Sequence, residues 1–483
     1  MPAVDAASPS YDAVVVGAGP NGLSAAITLG KAGLSTLVVE ARPTPGGGAR
    51  TEELTLPGFQ HDVCSTVHPL GVASPFFRQL DLEPHGVSWI HPPSPLAHVL
   101  DEQRTVILER SLVNAAQRLG RDGSAYAKLL RPFVERCDSL LEMVLGPLHW
   151  PHDPWLLARF GLTALRSLEQ VARRFHEAEA SALLAGMGAH AMQRLDAPAT
   201  ASFALILGMT AHAVGWPIAR GGSQMITRAL VDIHRELGGE LVLNRRVSDW
   251  RELPSARAYL FDLTPQQLLE VIGGDLPAAY RARLGRFRYG PGVCKMDWAL
   301  NTPIPWRDAE CARAATIHLS GSLARVAESE RAMATGKISE QPFVIVVQPS
   351  LFDASRAPTG RHTAWAYCHL PHRSTFDASN LIEQQIERFA PGFKDCILAR
   401  ASKGPARMEQ YNENYVGGDI NGGAASLAQM FTRPVARLDP YSTPVPHFFL
   451  CSSSTPPGGG VHGMCGYWAA KSALRKVFGK QAA

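Results

Sequence analysis

The chain has 483 residues, with 47 Lys+Arg against 43 Asp+Glu for a net charge of +4, a length equal to about three domain-equivalents. Hydrophobic residues at 46% and charged residues at 19% supply a large buried core and exclude disorder over most of the length. So small a positive excess also excludes the electrostatic footprint of a nucleic-acid-binding surface.

Residues 1–10 carry Asp5 and two prolines but no apolar run and no arginine, so neither a signal peptide nor a transit peptide is expected. The eight cysteines form no CxxC pair, and no Cys/His spacing suits zinc. No metal site and a reducing, cytoplasm-like compartment are expected. Val14-Val15-Val16 running into Gly17 reads as a buried parallel strand. Leu23, Ala26, Ile27 and Gly30 recur at helical spacing, Gly33 ends that helix, and Thr36-Leu37-Val38-Val39 is a second buried strand. Residues 41–51 read as a Pro/Gly loop, 54–110 as short strands and turns, and 111–195 as helices.

The stretch 197–219 runs 23 residues without Asp, Glu, Lys or Arg, long enough to raise a membrane span. Pro198, His212, Gly215 and Pro217 interrupt it, so a buried helix lining a core or an apolar tunnel is expected. Arg220-Gly221-Gly222-Ser223 caps a helix through Leu230, and 240–243 and 257–261 read as strands. Thr264-Pro265-Gln266-Gln267 has the pattern of a capping box. Strands at 293–300, 343–347 and 362–369, a helix near 381–389, a last strand at 448–451, a Pro/Gly loop and a helix over 464–478 complete the chain.

Gly17-Ala18-Gly19-Pro20-Asn21-Gly22 is a GxGxxG that follows a buried strand and opens a helix, and Glu40 ends the next strand 18 residues after Gly22. That context is what a dinucleotide fingerprint requires. Gly17 permits the tight turn, Gly19 lets backbone approach a pyrophosphate, and Gly22 allows close helix–strand packing. The helix N-terminus offers free N–H groups to the phosphates, and Glu40 would accept hydrogen bonds from a ribose. Gly458-Gly459-Gly460-Val461-His462-Gly463 fits the same pattern, but no strand with an acid follows. It reads instead as a loop feeding the N-terminus of the last helix.

Arg42 and the loop Gly46-Gly47-Gly48-Ala49-Arg50-Thr51 resemble the second FAD motif of the flavin amine oxidase superfamily. Residues 11–51, 220–223, 238–247 and 448–474 resemble the phytoene desaturase and retinol saturase type of flavoprotein. Within it they are most similar to the pyridine nucleotide-disulfide oxidoreductase domain-containing branch, through 411–434 and 457–466. The resemblance implies an α/β fold with a Rossmann-like FAD-binding domain (1–90, 215–285 and 406–483) interleaved with a mixed sheet-and-helix substrate domain (91–214 and 286–405). It implies non-covalent FAD held by Gly17, Gly19, Pro20, Asn21, Gly22, Glu40, Ala41, Gly47, Gly48, Arg50 and Thr51. Val247 would meet adenine through its backbone. Gly460, Val461, His462 and Met464 would sit near the flavin, where the positive helix end favours an anionic reduced ring.

The activity implied is that of an FAD-dependent dehydrogenase, desaturase or saturase acting on a hydrophobic substrate of isoprenoid or carotenoid type, with an unknown electron acceptor. A flavin amine oxidase, or a flavin-bound interaction protein with little turnover, is the alternative. Alternation along 293–300 puts Lys295 and Asp297 on one face. By the same resemblance Lys295 is the candidate catalytic residue, bridged by water to the flavin. His68 is a further candidate for the flavin face. Arg159, Arg166 and Arg173 recur at intervals of seven beside apolar residues over 155–176, the pattern of a basic amphipathic helix lying peripherally on an anionic membrane.

Overall fold

The computed structural model describes residues 10–480, so the expectation for a leader falls almost wholly outside the described residues. Two sheets organise the chain. The first is parallel throughout, in the order Phe448–Leu450, Ala256–Phe261, Tyr11–Val16, Thr36–Val39, Glu240–Val242. Its central strands are buried on both faces, which is why they read as continuous apolar runs.

The helix Pro20–Lys31 lies on this sheet between the helices Gln224–Glu236 and Met464–Val477. Ten of its residues, from Asn21 to Gly30, are buried. Each fully buried Leu or Ile there contributes about 1.5–3 kcal/mol. Glycine sets how closely the pieces approach. A methyl group on Gly22 would stand 2.0 Å from the Gly17 carbonyl oxygen, and one on Gly466 would stand 1.8 Å from that of Asn21. The first turns of the Pro20–Lys31 and Met464–Val477 helices therefore touch, and both N-termini open at the same end of the sheet.

The second sheet has seven strands, in the order Ile397–Lys403, Gly292–Leu300, His362–Leu370, Val344–Val347, Ala314–Leu319, Ser94–Val99, Thr105–Leu108. All its pairings are antiparallel except that of Ala314–Leu319 with Ser94–Val99. Helices from 112 to 213 pack beside it. Ala178–Ala189 and Thr200–Ala213 are buried almost all round.

The stretch 197–219 thus forms the buried 14-residue helix Thr200–Ala213, and among the described residues no helix is long and apolar enough to cross a membrane. Two local expectations need correction. The Thr264 hydroxyl bonds the Gln267 side chain instead of a backbone N–H, and the Thr264 N–H donates to Asn414 Oδ1 at 2.9 Å, so the capping box does not close. The region 155–176 is not one helix. Pro154–Ala164 ends, and Ser167 with Gln170 makes a capping box that starts Leu168–Ala172. Arg159, Arg166 and Arg173 therefore do not share a stripe.

Candidate cofactor and substrate cavity

A cavity of about 480 Å³ opens at the carboxyl ends of the parallel strands and runs to the face of the second sheet. Ligands bind at such a strand-end crevice in open α/β sheets. At the first end, Gly17 holds φ at +102° and its N–H donates to the Val39 carbonyl at 2.8 Å. The second glycine loop is tied to the first by Gly46 N–H on the Ala18 carbonyl at 2.8 Å. A methyl group on Gly47 would stand 3.3 Å from Gly19 Cα, so the two loops face each other as bare backbone. The helix Pro20–Lys31 carries no acid in its first turn, and Asn21 Oδ1 is buried without a partner. A narrow glycine-walled cradle at a helix N-terminus fits a pyrophosphate.

Of the residues expected to hold the cofactor, Gly17, Gly19, Pro20, Asn21, Glu40, Ala41, Gly47, Gly48, Arg50, Val247, Gly460 and Val461 line the cavity, whereas Gly22, Thr51, His462 and Met464 do not. Gly22 lies one layer behind, in the helix–strand contact. The Thr51 hydroxyl donates to Asp62 Oδ1 at 2.7 Å, inside a buried network in which Arg356 pairs with Asp62 at 2.8 Å. His462 Nδ1 accepts the Met464 N–H at 3.0 Å, and the His462 carbonyl accepts from Ser74 at 2.6 Å. Its imidazole, pushed down to about 4 by burial, caps the last helix and does not reach the cavity. His68 likewise turns away, bonded to the Ser223 hydroxyl at 2.8 Å.

Glu40 is held tightly. It accepts from Ala18 N–H at 2.8 Å, Arg42 N–H at 2.9 Å and Arg50 Nη2 at 3.2 Å. A carboxylate has about four lone-pair sites, so one remains for a ribose hydroxyl. Arg50 thus faces Glu40, and its guanidinium lies 5.6 Å from the Tyr411 ring centre. One group here escaped the sequence reading, and another entered it only through the family resemblance. Asp262, just past the Ala256–Phe261 strand, accepts Gly22 N–H at 3.0 Å. Residues 411–415 close over the second glycine loop, Arg42 donating to the Tyr411 carbonyl at 2.6 Å and Asn414 Nδ2 to the Asp262 carbonyl at 2.8 Å.

The far end is walled by one face of the second sheet. Thr316, Ile345, Val347, Trp365 and Tyr367 line it, spaced by two along their strands as alternation requires. Trp365 and Tyr367 stack at 5.9 Å and 13°. Lys295 stands opposite Tyr367 in the register, but it is not on the cavity wall. It is 2% exposed, ion-paired to Asp297, with its ammonium 5.2 Å from the Trp365 ring centre. The flavin-facing role expected of it does not follow from this position.

His190, at the end of the Ala178–Ala189 helix, does line the cavity. Its Nε2 is 3.2 Å from His318 Nε2. His318 in turn sits opposite His98 in the parallel register, and His98 Nε2 donates to the Gly321 carbonyl at 2.7 Å. Burial holds the His190 imidazole down to about 3, with His369 adding to the effect, so it is neutral at pH 7. No local motif joins His98, His190 and His318; the sheet register pairs His98 with His318, and the Ala178–Ala189 helix packed against that sheet brings in His190.

The chain matches a family model described as an NAD(P)-binding Rossmann-like domain over residues 15–81. It is 27% identical to pyridine nucleotide-disulfide oxidoreductase domain-containing protein 2 of Mus musculus, with 97% of this chain and 94% of that protein covered. It is 23% identical to the lycopene-forming phytoene desaturase of a Paracoccus strain, covering 94% and 95%. Among solved structures, putrescine oxidase bound to putrescine shares the fold, with a TM-score of 0.62, 16% identity and coverage of 97% and 99%.

Proposed function

We propose that this chain, which belongs to the FAD-dependent oxidoreductases, transfers a hydride between its flavin and an apolar small molecule seated against Trp365 and Tyr367. The observation that carries this reading is the continuity of one cavity, from the glycine cradle at Gly19 and Gly47 to a sheet face of Thr316, Ile345, Val347, Trp365 and Tyr367 that presents no charged side chain. A polar or ionic substrate would leave its charge unpaired there. The phytoene desaturase relative supports an isoprenoid as the apolar substrate.

FAD bound along this cavity supplies a two-electron hydride acceptor. Everything else falls to the chain. The glycine loops and the Pro20–Lys31 N-terminus place the pyrophosphate, and Glu40 the ribose. Val67, Ile345 and Val347 exclude water, and the aromatic pair fixes the substrate's orientation, which is the larger part of what an unactivated C–H bond needs. As a double bond forms between two carbons, one gives up hydride and its neighbour a proton. His190, the one imidazole among the described residues of the cavity wall and held at Nε2 by His318, is our candidate to take that proton. The role requires charge developing on the bound substrate to raise its basicity above the value of about 3 set by burial.

A second reading, oxidation of an amine, is favoured by the stacked Trp365–Tyr367 pair, since aromatic faces attract a cationic ammonium. The test is to denature the purified protein, identify the released flavin, then follow anaerobic flavin bleaching with polyenes, terpenoids and amines and weigh the products. FAD release, and bleaching by an isoprenoid with a product two mass units lighter, support the first reading. Bleaching by amines alone supports the second, and FMN or no flavin after reconstitution excludes both.

A further inference from the structure

The helix Pro154–Ala164 has one charged residue, Arg159, among its 11. Its inner face buries Leu156, Phe160 and Ala164. Its outer face is apolar as well, with Trp155 87% and Leu162 73% exposed. These two lie seven residues apart, so they stand on one side about 10 Å from each other. The preceding loop adds Leu148 and Trp150, 79% and 89% exposed, and Leu165 follows the helix. A folded chain leaves single apolar side chains in water routinely, but a ridge of two tryptophans and three leucines marks an interaction surface.

Cations flank the ridge. A groove against the same helix is lined by Lys128, Arg131 and Arg159, with Glu135 its one acid, and the exposed Arg166 follows Leu165. Among the described residues these four cations form no ion pair. Two of the neighbouring acids are already taken, Asp153 by Arg136 at 2.6 Å and Asp138 by Arg78, which leaves three cations against Glu135 in the groove. Tryptophan prefers the boundary between headgroups and acyl chains, where its ring is buried and its N–H stays wet. Unpaired arginines and lysines at that depth meet lipid phosphates.

We infer that residues 148–165, with Lys128 and Arg131, form a docking surface for an anionic lipid bilayer, the tryptophans entering the interface and the cations binding headgroup phosphates. A second copy of the chain is the poorer occupant, because a two-fold contact would set the same four cations against themselves. None of the cavity's lining residues carries this surface, so it stands or falls independently of the substrate reading.

The test uses the whole protein with its flavin, and vesicles of phosphatidylcholine alone or mixed with phosphatidylglycerol. The wild type is expected to sediment with the mixed vesicles, less so as salt rises, and its tryptophan fluorescence to be quenched by lipids brominated near the headgroup. A Trp150→Ser/Trp155→Ser variant should partition at least roughly tenfold more weakly and lose the headgroup-depth quenching. Arg131→Glu/Arg159→Glu should abolish the preference for phosphatidylglycerol. Unchanged flavin absorbance and melting temperature show that both variants are folded. The inference is overturned if the wild type stays in the supernatant with both vesicles, if the tryptophan variant sediments as the wild type does, or if sedimentation velocity shows a dimer that the tryptophan variant dissociates while vesicles bind neither form.

Discussion

The main-chain N–H of Gly22 donates to Asp262 Oδ2 at 3.0 Å, which ties the third glycine of the fingerprint to a carboxyl group at the end of the neighbouring strand. Burial raises this carboxyl, the Gly22 bond opposes the rise, nearby Glu40 adds to it, and the result is a group pushed up from 3.8 to about 7. The folded chain thus holds the proton more tightly than the unfolded one. The stability this contributes is present in full below about pH 4, falls as pH rises from there to about 7, and stays lost above. Asp262→Asn keeps the acceptor for Gly22 and removes the titration. Relative to wild type, the apoprotein variant should gain stability as pH rises from 5 to 7, and at pH 8 the gain should be on the order of a few kcal/mol. The buried histidines, which weaken both proteins alike toward pH 5, cancel in that difference. Thermal melts across that range check this, and equal pH slopes in the two proteins would exclude the role given to Asp262.

Glu40 and Arg50 are both nearly buried and paired at 3.2 Å. Removing the cation strands a carboxylate that still has two backbone donors but no counter-ion. Arg50→Met should cost about 3 kcal/mol and weaken FAD binding, while Glu40→Gln/Arg50→Met should cost less than the two single changes together. Denaturant unfolding of the four proteins checks the coupling; simple additivity would mean that the pair does not act as a unit.

The parallel sheet was legible because its strands carry their own signal. Val14-Val15-Val16 and Thr36-Leu37-Val38-Val39 are apolar on both faces, and a GxGxxG between them leaves few alternatives. Three strands of the second sheet, 293–300, 343–347 and 362–369, were legible too, but Ala314–Leu319 and Ile397–Lys403 were not, nor was the order, since Lys295 meets Tyr367 and His318 meets His98 only through pairings between distant segments. Asp262 was within reach, as a carboxyl group ending the strand beside the fingerprint. Arg50 was legible as a residue of the cofactor cavity, which it lines, but its bond to Glu40 was not, because spacing alone does not pair a buried arginine with its acid. The helix assumed over 155–176 failed because Ser167 caps a new one, a local bond that overrides a seven-residue periodicity.

His190 reaches the cavity while its Nε2 is fixed by His318. His190→Phe should leave FAD binding intact and lower turnover by about 10²–10⁴-fold if the proton passes through this ring. His318→Phe, which touches no substrate, should lower turnover less and shift the pH profile, because the partner that orients His190 is gone. Stopped-flow flavin bleaching across pH, with the substrate found by the panel, separates these outcomes. Unchanged turnover in His190→Phe would remove the imidazole from the mechanism.

Gly466 lies 445 residues from Asn21 in sequence, yet a methyl group on it would stand 1.8 Å from the Asn21 carbonyl oxygen and 2.9 Å from the Ala25 nitrogen. Both are backbone atoms of the helix whose N-terminus faces the glycine cradle, so neither can swing aside. Gly466→Ala must push the Met464–Val477 helix off the Pro20–Lys31 helix, at a cost of about 1–3 kcal/mol or more, and it displaces the residues that frame Gly460 and Val461 at the cavity. The expected result is a folded but less stable protein that loses FAD on gel filtration. Arg475→Gly, at an exposed position of the same helix, is the control. It lowers helix propensity by about 1 kcal/mol without touching the close approach, and it should keep its FAD. If both variants bind FAD as the wild type does, the tight contact between the two helix starts is not what shapes the cofactor site. If both lose it, helix stability alone accounts for the effect.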